Sequence, residues 1–493
     1  MFSGMAWTTI QSIVNILYGF IAVPFLINFY GKEEYGLIGL AMSINAYVTL
    51  LDMGMTNSNV RFFSEYIATG DKARVQRLFG LTHLFYLFLG VLNTVILFVA
   101  SLFVDVFFKV TPEQAITLRN LLWILALNAT FSWVSVCFDQ FLRAHELIDW
   151  IKRRATLLKL LLFAVLACSI LLKWPIEWYF FCFTFMGTII LPLTLIKARR
   201  VDPDLKFNYR FDKEMFHTII PYALSIFSFA VFHFITTSTR PLFLGNLIGP
   251  GGVAEFSIIM AITTIVSVFT SSVMQVLLPI LTKMQVQNET EGVQAIMRTG
   301  TKYMTVFLSG LIFAIIISAQ ELLTVYVGEQ FIHLTKWLVL WLLTLLLSCR
   351  NVMTALVFTE KKVGSVAIMG AVSMMAALIC YGLLTPYWGV GGVVFGYIVH
   401  EIIHMLFYYV YFMPRRFNIN TWRVFVCSVL PSWMLMGLSA GLVYMVFRWV
   451  DDTWLAILVK SFTYGLFFVS IAWFVIFDKN DKKLLKSLIV NKG

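Results

Sequence analysis

Hydrophobic residues fill most of the chain in continuous blocks that are separated by short polar segments. Each block spans roughly 18–25 residues, long enough as a helix to cross about 30 Å of hydrocarbon. The blocks do not alternate polar with apolar positions, so the pattern favours helices over a transmembrane barrel. It therefore predicts an all-α membrane protein with about fourteen transmembrane helices. The approximate ranges are 5–29, 36–57, 79–104, 115–138, 155–172, 176–196, 215–239, 255–280, 302–319, 336–358, 363–385, 388–412, 424–447 and 454–477.

Composition supports this interpretation. Of 493 residues, 60% are hydrophobic and 13% are charged, whereas soluble domains have about 45–50% apolar and about 25% charged residues. No polar segment between the blocks exceeds about 25 residues, which leaves no room for a soluble catalytic domain. The function is therefore expected to lie in the helix bundle, and no enzymatic activity is predicted.

The excess of basic residues follows the expected topology. If the N-terminus is cytoplasmic, 28 of the 37 Lys and Arg residues lie in inward segments and seven lie in outward loops. This bias is a positive-inside signal, and it predicts that both termini are cytoplasmic. The net charge of +11 then needs no nucleic-acid partner to explain it.

A faint internal repeat suggests how the helices are grouped. Pro24 and Pro241 each lie where a helix runs outward into a short glycine-containing loop, before the next apolar helix begins. Repeated halves are common in secondary transporters. We therefore predict two pseudo-twofold six-helix bundles, at 1–205 and 206–414, followed at 415–493 by a terminal helix pair and a cytoplasmic basic tail.

Ionisable side chains within apolar helices, or at their edges, are the candidate functional residues, because an intramembrane charge is costly and marks a functional site by default. Arginines in a cavity would bind a diphosphate through bidentate contacts, and neighbouring carboxylates and histidines could carry H⁺ or Na⁺. The alternative is that these residues are helix-end anchors or structural pairs. The predicted substrate-binding residues are Arg61, Arg240 and Arg350, and the predicted ion-coupling or cavity residues are Asp52, Glu65, His233, His400, Glu401 and His404.

The segment His400-Glu401-Ile402-Ile403-His404 also fits the H-E-x-x-H pattern of zinc metalloproteases. Two histidines at i and i+4 share one helix face, and the glutamate could act as general base. A catalytic zinc needs a third protein ligand, and the sequence offers no suitable later aspartate. We therefore predict no metal and no cofactor beyond a possible coupling ion, and keep an intramembrane zinc protease as the alternative from another functional class.

Residues 18–80 contain a run of recognisable positions: Pro24, Asn28, Tyr30, Gly31, Tyr35 and Gly36, then Leu51-Asp52-Met53-Gly54, then Arg61 and Ser64-Glu65-Tyr66. This run closely resembles the start of bacterial polysaccharide exporters of the multidrug/oligosaccharidyl-lipid/polysaccharide exporter superfamily, which includes O-antigen flippases. Later in the chain, Pro386, Gly389 and Gly392 resemble that family's turn before the twelfth helix. Asp52, Gly54, Arg61 and Glu65 match the family's second-helix pattern, whereas the arginines that related lipid II flippases carry on the first helix are absent.

The resemblance implies a flippase that moves undecaprenyl-diphosphate-linked oligosaccharide units from the cytoplasmic to the periplasmic leaflet of a bacterial inner membrane. It would act in O-antigen, lipopolysaccharide or other polysaccharide export, by alternating access around a cationic cavity, driven by an ion gradient or the membrane potential. Its partners would be the lipid-linked oligosaccharide, membrane lipids, and a polysaccharide polymerase and glycosyltransferases. A drug or small-cation antiporter of the same superfamily is the closest alternative.

Overall fold

The protein is all-helical over the part of the chain that its structure, a computed structural model, describes. That part comprises residues 2–203, 205, 211–287, 289–357, 364–417, 419–447, 449, 454–479 and 481–482.

Thirteen helical segments of this described part are long and apolar enough to cross a membrane. A further 26-residue helix, Lys213–Ser238, lies where the seventh span was predicted. The chain is thus a multi-pass, all-α membrane protein, which confirms the predicted fold class. Many large apolar side chains on these helices are exposed, as expected of surfaces that face lipid.

The helices form two compact units. Unit 1 comprises residues 1–261 and 380–393, and unit 2 comprises residues 262–379 and 394–493. These units are defined by spatial contacts, and the predicted sequence halves 1–205 and 206–414 stay a prediction.

In chain order, the first twelve α-helices of the described residues are α1 Phe2–Tyr30, α2 Lys32–Val48, α3 Met55–Ala68, α4 Lys72–Leu102, α5 Val104–Phe107, α6 Pro112–Ala144, α7 Ile148–Leu171, α8 Ile176–Ile189, α9 Leu191–Val201, α10 Lys213–Ser238, α11 Arg240–Leu247 and α12 Pro250–Val286.

Short segments of other helical types lie between the α-helices. Among the described residues, three stretches are 3₁₀-helical (Thr49–Asp52, Glu329–Leu334 and Leu346–Arg350) and three are π-helical (Phe407–Phe412, Phe425–Val429 and Ala472–Ile476). The other α-helices are α13 Thr290–Ile316, α14 Ala319–Val327, α15 Thr335–Leu345, α16 Asn351–Val357, α17 Gly364–Trp388, α18 Val390–Leu406, α19 Met413–Phe417, α20 Thr421–Val424, α21 Leu430–Phe447 and α22 Trp454–Ile471.

Polar residues at the helix starts explain why several helices extend beyond their apolar blocks. The third predicted span begins at residue 79, but α4 begins at Lys72 because the Asp71 side chain accepts a hydrogen bond from the backbone N–H of Arg74 at 2.9 Å. Such N-caps satisfy backbone donors that a helix leaves unpaired. Thr111 caps α6 in the same way, within a complete capping box with Gln114.

Small residues allow helices of unit 1 to pack closely. A Cβ atom added at Gly90 of α4 would lie 2.7 Å from the Cα atom of Thr130 in α6. The starts of α2 and α12 also meet: a Cβ at Gly36 would collide with the carbonyl of Pro250, and Lys32 forms a 2.7 Å ion pair with Glu255. Close backbone approach at small residues is a common means of helix association in membranes.

Some predictions concern residues outside the described part of the chain. The basic residues at 361–362, Arg448 and most of the predicted cytoplasmic tail, residues 483–493, belong to this group.

Candidate functional site

Asp52 lies at a break between two helices of unit 1. The predicted second span ran to residue 57, but Met53 and Gly54 adopt left-handed conformations, with φ of 48° and 79°, and a new helix, α3, begins at Met55. The Asp52 carboxylate accepts the backbone N–H of Thr56 at 3.1 Å, the Thr56 hydroxyl at 2.9 Å and the Tyr86 hydroxyl at 2.6 Å. Asp52 therefore caps α3 and ties it to α4.

A buried polar network extends from this cap into α6. The Gln140 amide nitrogen donates to the Tyr86 hydroxyl at 2.7 Å, and its amide oxygen accepts from Asn59 at 3.0 Å. Asn59 and Gln140 are fully buried, and the Tyr86 ring stacks on Trp133. Sequence reasoning missed these partners; the one available signal was that Asn59 and Gln140 are polar amides within or next to apolar helices.

Arg61 and Glu65 follow on α3, and both are exposed. The Arg61 guanidinium lies 4.2 Å from the centre of the Tyr222 ring and 5.7 Å from that of Phe62. Stacking on aromatic faces leaves guanidinium N–H donors available at the edge of the group. Of the three predicted substrate-binding arginines, Arg61 is thus the one whose charge is exposed.

Arg240 is buried in unit 1, at the first position of α11. Its Nε donates to the Tyr381 hydroxyl at 3.1 Å, and that hydroxyl donates to the carbonyl of Thr236 at 3.3 Å. The Phe243 ring packs edge-on against Tyr381, with 5.9 Å between ring centres. His233, predicted beside Arg240, is exposed on α10.

Arg350 and Glu401 form a buried ion pair in unit 2. Arg350 ends the 3₁₀ segment before α16, and Glu401 lies on α18. The Arg350 Nη2 atom is 2.9 Å from Oε1 and 2.8 Å from Oε2 of Glu401, and Nε is 3.1 Å from Oε2. Only 8% of Arg350 and 2% of Glu401 is exposed. Two residues predicted for different roles, substrate binding and ion coupling, therefore neutralise each other.

His400 and His404 lie beside this pair on α18. Their ring centres are 4.3 Å apart, and the Nε2 atom of His404 lies 3.0 Å from the Ser373 hydroxyl. Within the described residues, no group of three or more His, Cys, Asp or Glu side chains could hold a metal ion. The Glu401 carboxylate, the general base of the zinc alternative, is bound by Arg350.

A second buried ion pair in unit 2 was not predicted. Lys460 of α22 is fully buried and donates to Glu321 of α14, which is 6% exposed. The Lys460 ammonium also lies 5.8 Å from the centre of the Tyr444 ring. Lys460 was recognisable as an intramembrane cation, but its partner Glu321 lies 139 positions away in the sequence.

Comparison with known proteins shows which family the chain belongs to. The model of the family described as polysaccharide biosynthesis protein matches residues 1–285, which is more than half of the chain. The chain belongs to this polysaccharide biosynthesis protein family. No curated protein matches its sequence.

Solved structures share the fold of this polysaccharide biosynthesis protein over most of its length. The lipid II flippase MurJ, in an inward closed conformation, superposes with a TM-score of 0.76 at 14% identity, covering 96% of this chain and 98% of MurJ. An inward-facing multidrug resistance transporter of the MATE family gives 0.65 at 16% identity, covering 83% and 94%. The MATE multidrug transporter DinF-BH gives 0.60 at 14% identity, covering 85% and 96%.

The family match confirms the family that residues 18–80 resembled, and the solved structures confirm the predicted fold. The structure brings Arg350 together with Glu401, and it assigns helix capping to Asp52. The substrate-binding and ion-coupling roles of the predicted site residues stay predictions.

Proposed function

We propose that this protein is a flippase that moves undecaprenyl-diphosphate-linked oligosaccharides from the cytoplasmic to the periplasmic leaflet of a bacterial inner membrane. The observation that carries the proposal is a membrane protein of a polysaccharide biosynthesis family whose whole length takes the fold of a lipid II flippase. A sugar diphosphate cannot cross hydrocarbon unaided, because removing its polar head from water costs many kcal/mol.

In this proposal the protein works by alternating access around a cationic cavity, driven by an ion gradient or the membrane potential. The glycan would be an O-antigen or another polysaccharide unit, which a polymerase and glycosyltransferases handle before or after transport. Arg61 is the first candidate for the diphosphate because its charge is exposed, whereas Arg350 is already paired with Glu401.

Translocation in liposomes tests the proposal. Purified protein is reconstituted with a polyprenyl-diphosphate oligosaccharide, and a glycan-modifying enzyme outside the vesicles reports head groups that reach the outer leaflet. The protein should expose the inner-leaflet pool over time. If nothing moves with several glycans and imposed ion gradients, the substrate assignment fails.

An arginine variant refines this test. Arg61→Gln should lower translocation by roughly 10- to 150-fold, since a charge-assisted contact to phosphate contributes roughly 1.5–3 kcal/mol. Arg74→Gln is the matched control, because Arg74 is an exposed arginine in the first turn of the next helix, α4, and pairs locally with Asp71 at 3.2 Å. Equal flux in both variants would exclude Arg61 as a substrate contact.

A drug or small-cation antiporter is the alternative, and the fold shared with MATE transporters favours it. A strain that lacks the protein should then show a changed drug profile with normal surface glycan. The flippase proposal expects the opposite result, a defect in surface glycan with an unchanged drug profile.

A further inference from the structure

An apolar pocket of about 660 Å³ lies in unit 2, where the chain passes from one transmembrane span to the next. Its walls come from the end of the Val390–Phe417 span, the connection after it and the start of the Thr421–Phe447 span. This volume falls within the roughly 300–1,000 Å³ that is typical of ligand sites. Residues that line it include Met405, Leu406, Val410, Pro414, Trp422 and Phe425.

Irregular helix geometry forms both walls of the pocket. One wall includes the π-helical segment Phe407–Phe412, and the other includes the start of the π-helical segment Phe425–Val429. Such π-helical turns are rare and occur frequently at functional sites. The Thr421 hydroxyl donates to the carbonyl of Tyr409, and this bond holds the two walls together across the connection.

Basic residues directly follow two of the residues that line the pocket. Pro414 is followed by Arg415 and Arg416, and Trp422 is followed by Arg423. All three arginines are exposed, and the sequence contains no Asp or Glu between Glu401 and Asp451. Within the described residues, Arg415 stacks on the Tyr411 ring at 4.5 Å, and neither it nor Arg423 forms an ion pair.

We propose that this pocket binds an anionic phospholipid of the inward leaflet, with one acyl chain in the apolar pocket and the phosphate at the arginines. An apolar pocket with exposed arginines next to its lining residues in the chain complements the two parts of such a lipid. Trp422, which is 74% exposed, fits the interfacial position where indole rings concentrate. The predicted substrate residues Arg61, Arg240 and Arg350 are not among the residues that line the pocket, and the proposal does not depend on the transported glycan.

Photolabelling tests the proposal with full-length protein in nanodiscs. A photoactivatable phosphatidylglycerol is compared with the phosphatidylcholine of identical chains, and labelled peptides are identified by mass spectrometry. Labelling of residues 405–425 should be stronger with phosphatidylglycerol. The double variant Arg415→Gln/Arg423→Gln should lower it by roughly tenfold or more, because each basic residue near a membrane surface contributes about fivefold to anionic-lipid binding.

Two further comparisons complete the experiment. Arg199→Gln/Arg200→Gln removes the same charge from the exposed end of α9 and should leave the labelling unchanged. Val410→Trp, which fills the pocket, should reduce labelling, whereas Leu442→Trp on the exposed face of α21 should not. Equal labelling by the two head groups, or equal losses in the paired variants, would overturn the proposal. Displacement of the phospholipid by stoichiometric polyprenyl diphosphate would also overturn it, by assigning the pocket to the substrate.

Discussion

Asp52 has two candidate roles that a pair of substitutions can separate. Its carboxylate lies two residues before the N-cap Gly54 and accepts the first-turn N–H of Thr56, so Asp52→Ala should lower the free energy of unfolding by about 1–2 kcal/mol, similar to the loss of a side-chain cap. Asp52→Asn should cost less, because asparagine caps helices about as well as aspartate. Thermal unfolding of the purified variants in detergent measures both effects.

The same variants test ion coupling. If the negative charge of Asp52 carries the coupling ion, Asp52→Asn should abolish gradient-driven translocation while the protein stays stable. Asp105→Asn is the control for charge removal, since Asp105 is exposed and forms a 3.3 Å surface pair with Arg119. Full transport by Asp52→Asn would leave helix capping as the role of this residue.

The Arg350–Glu401 pair predicts a strong dependence of each side chain on the other. Removing either partner leaves a buried charge without compensation, which typically costs about 3–5 kcal/mol. Arg350→Met and Glu401→Gln should each destabilise the protein, and the double variant should recover most of the loss. Arg350→Lys keeps the charge but loses the bidentate geometry, so its melting temperature should lie between those of the wild type and Arg350→Met. Additive losses in the double variant would contradict the coupling.

These pairs show what the sequence could predict at single residues. Asp52, Arg350, Glu401 and Lys460 were recognisable because charges within apolar blocks stand out. Their partners were not recognisable, since Arg350 and Glu401 are 51 positions apart and Glu321 and Lys460 are 139 positions apart. Which faces of two distant helices meet depends on tertiary packing, which no local pattern encodes.

At the level of elements, the Glu321–Lys460 pair joins α22 to α14 within unit 2. Lys460→Met should weaken this attachment, because Glu321 would keep a buried negative charge without its partner; the expected cost is about 3–5 kcal/mol. Glu321→Gln/Lys460→Met should restore most of the stability. The fraction of protein that stays monodisperse after heating in detergent, read by size-exclusion chromatography, measures this effect.

Lys336→Met provides the matched control for that experiment. Lys336 is an exposed lysine near the start of α15 in the same unit, and its removal should change the melting behaviour little. If Lys460→Met and Lys336→Met behave alike, the buried pair contributes nothing to the attachment of α22.

The transmembrane helices were predicted more accurately than the residues at which they begin and end. Apolar blocks located the spans, but the blocks could not reveal polar extensions such as the start of α4, which is set by the Asp71 cap. The break at Met53–Gly54 fell inside the predicted second span, although Asp52 and Gly54 interrupt its apolar residues there. The apolar pattern did not predict the π-helical segments at 407–412 and 425–429.

At the scale of the whole molecule, the fold does not determine the function. Flippases and drug transporters share this fold with the chain at 14–16% identity, so the fold alone does not select a substrate. Family membership supports a role in polysaccharide biosynthesis, and this is why the flippase is proposed ahead of the drug antiporter.

The orientation of the whole chain in the membrane can also be tested. The positive-inside bias places Lys72 on the cytoplasmic side and Lys173 on the opposite side. In a variant with its six cysteines replaced by alanine, Lys173→Cys should react with a membrane-impermeant maleimide in intact cells. Lys72→Cys should react several-fold more after permeabilisation than before it. The reverse pattern would invert the topology and the proposed direction of transport, and it would place the basic pocket of unit 2 in the outer leaflet.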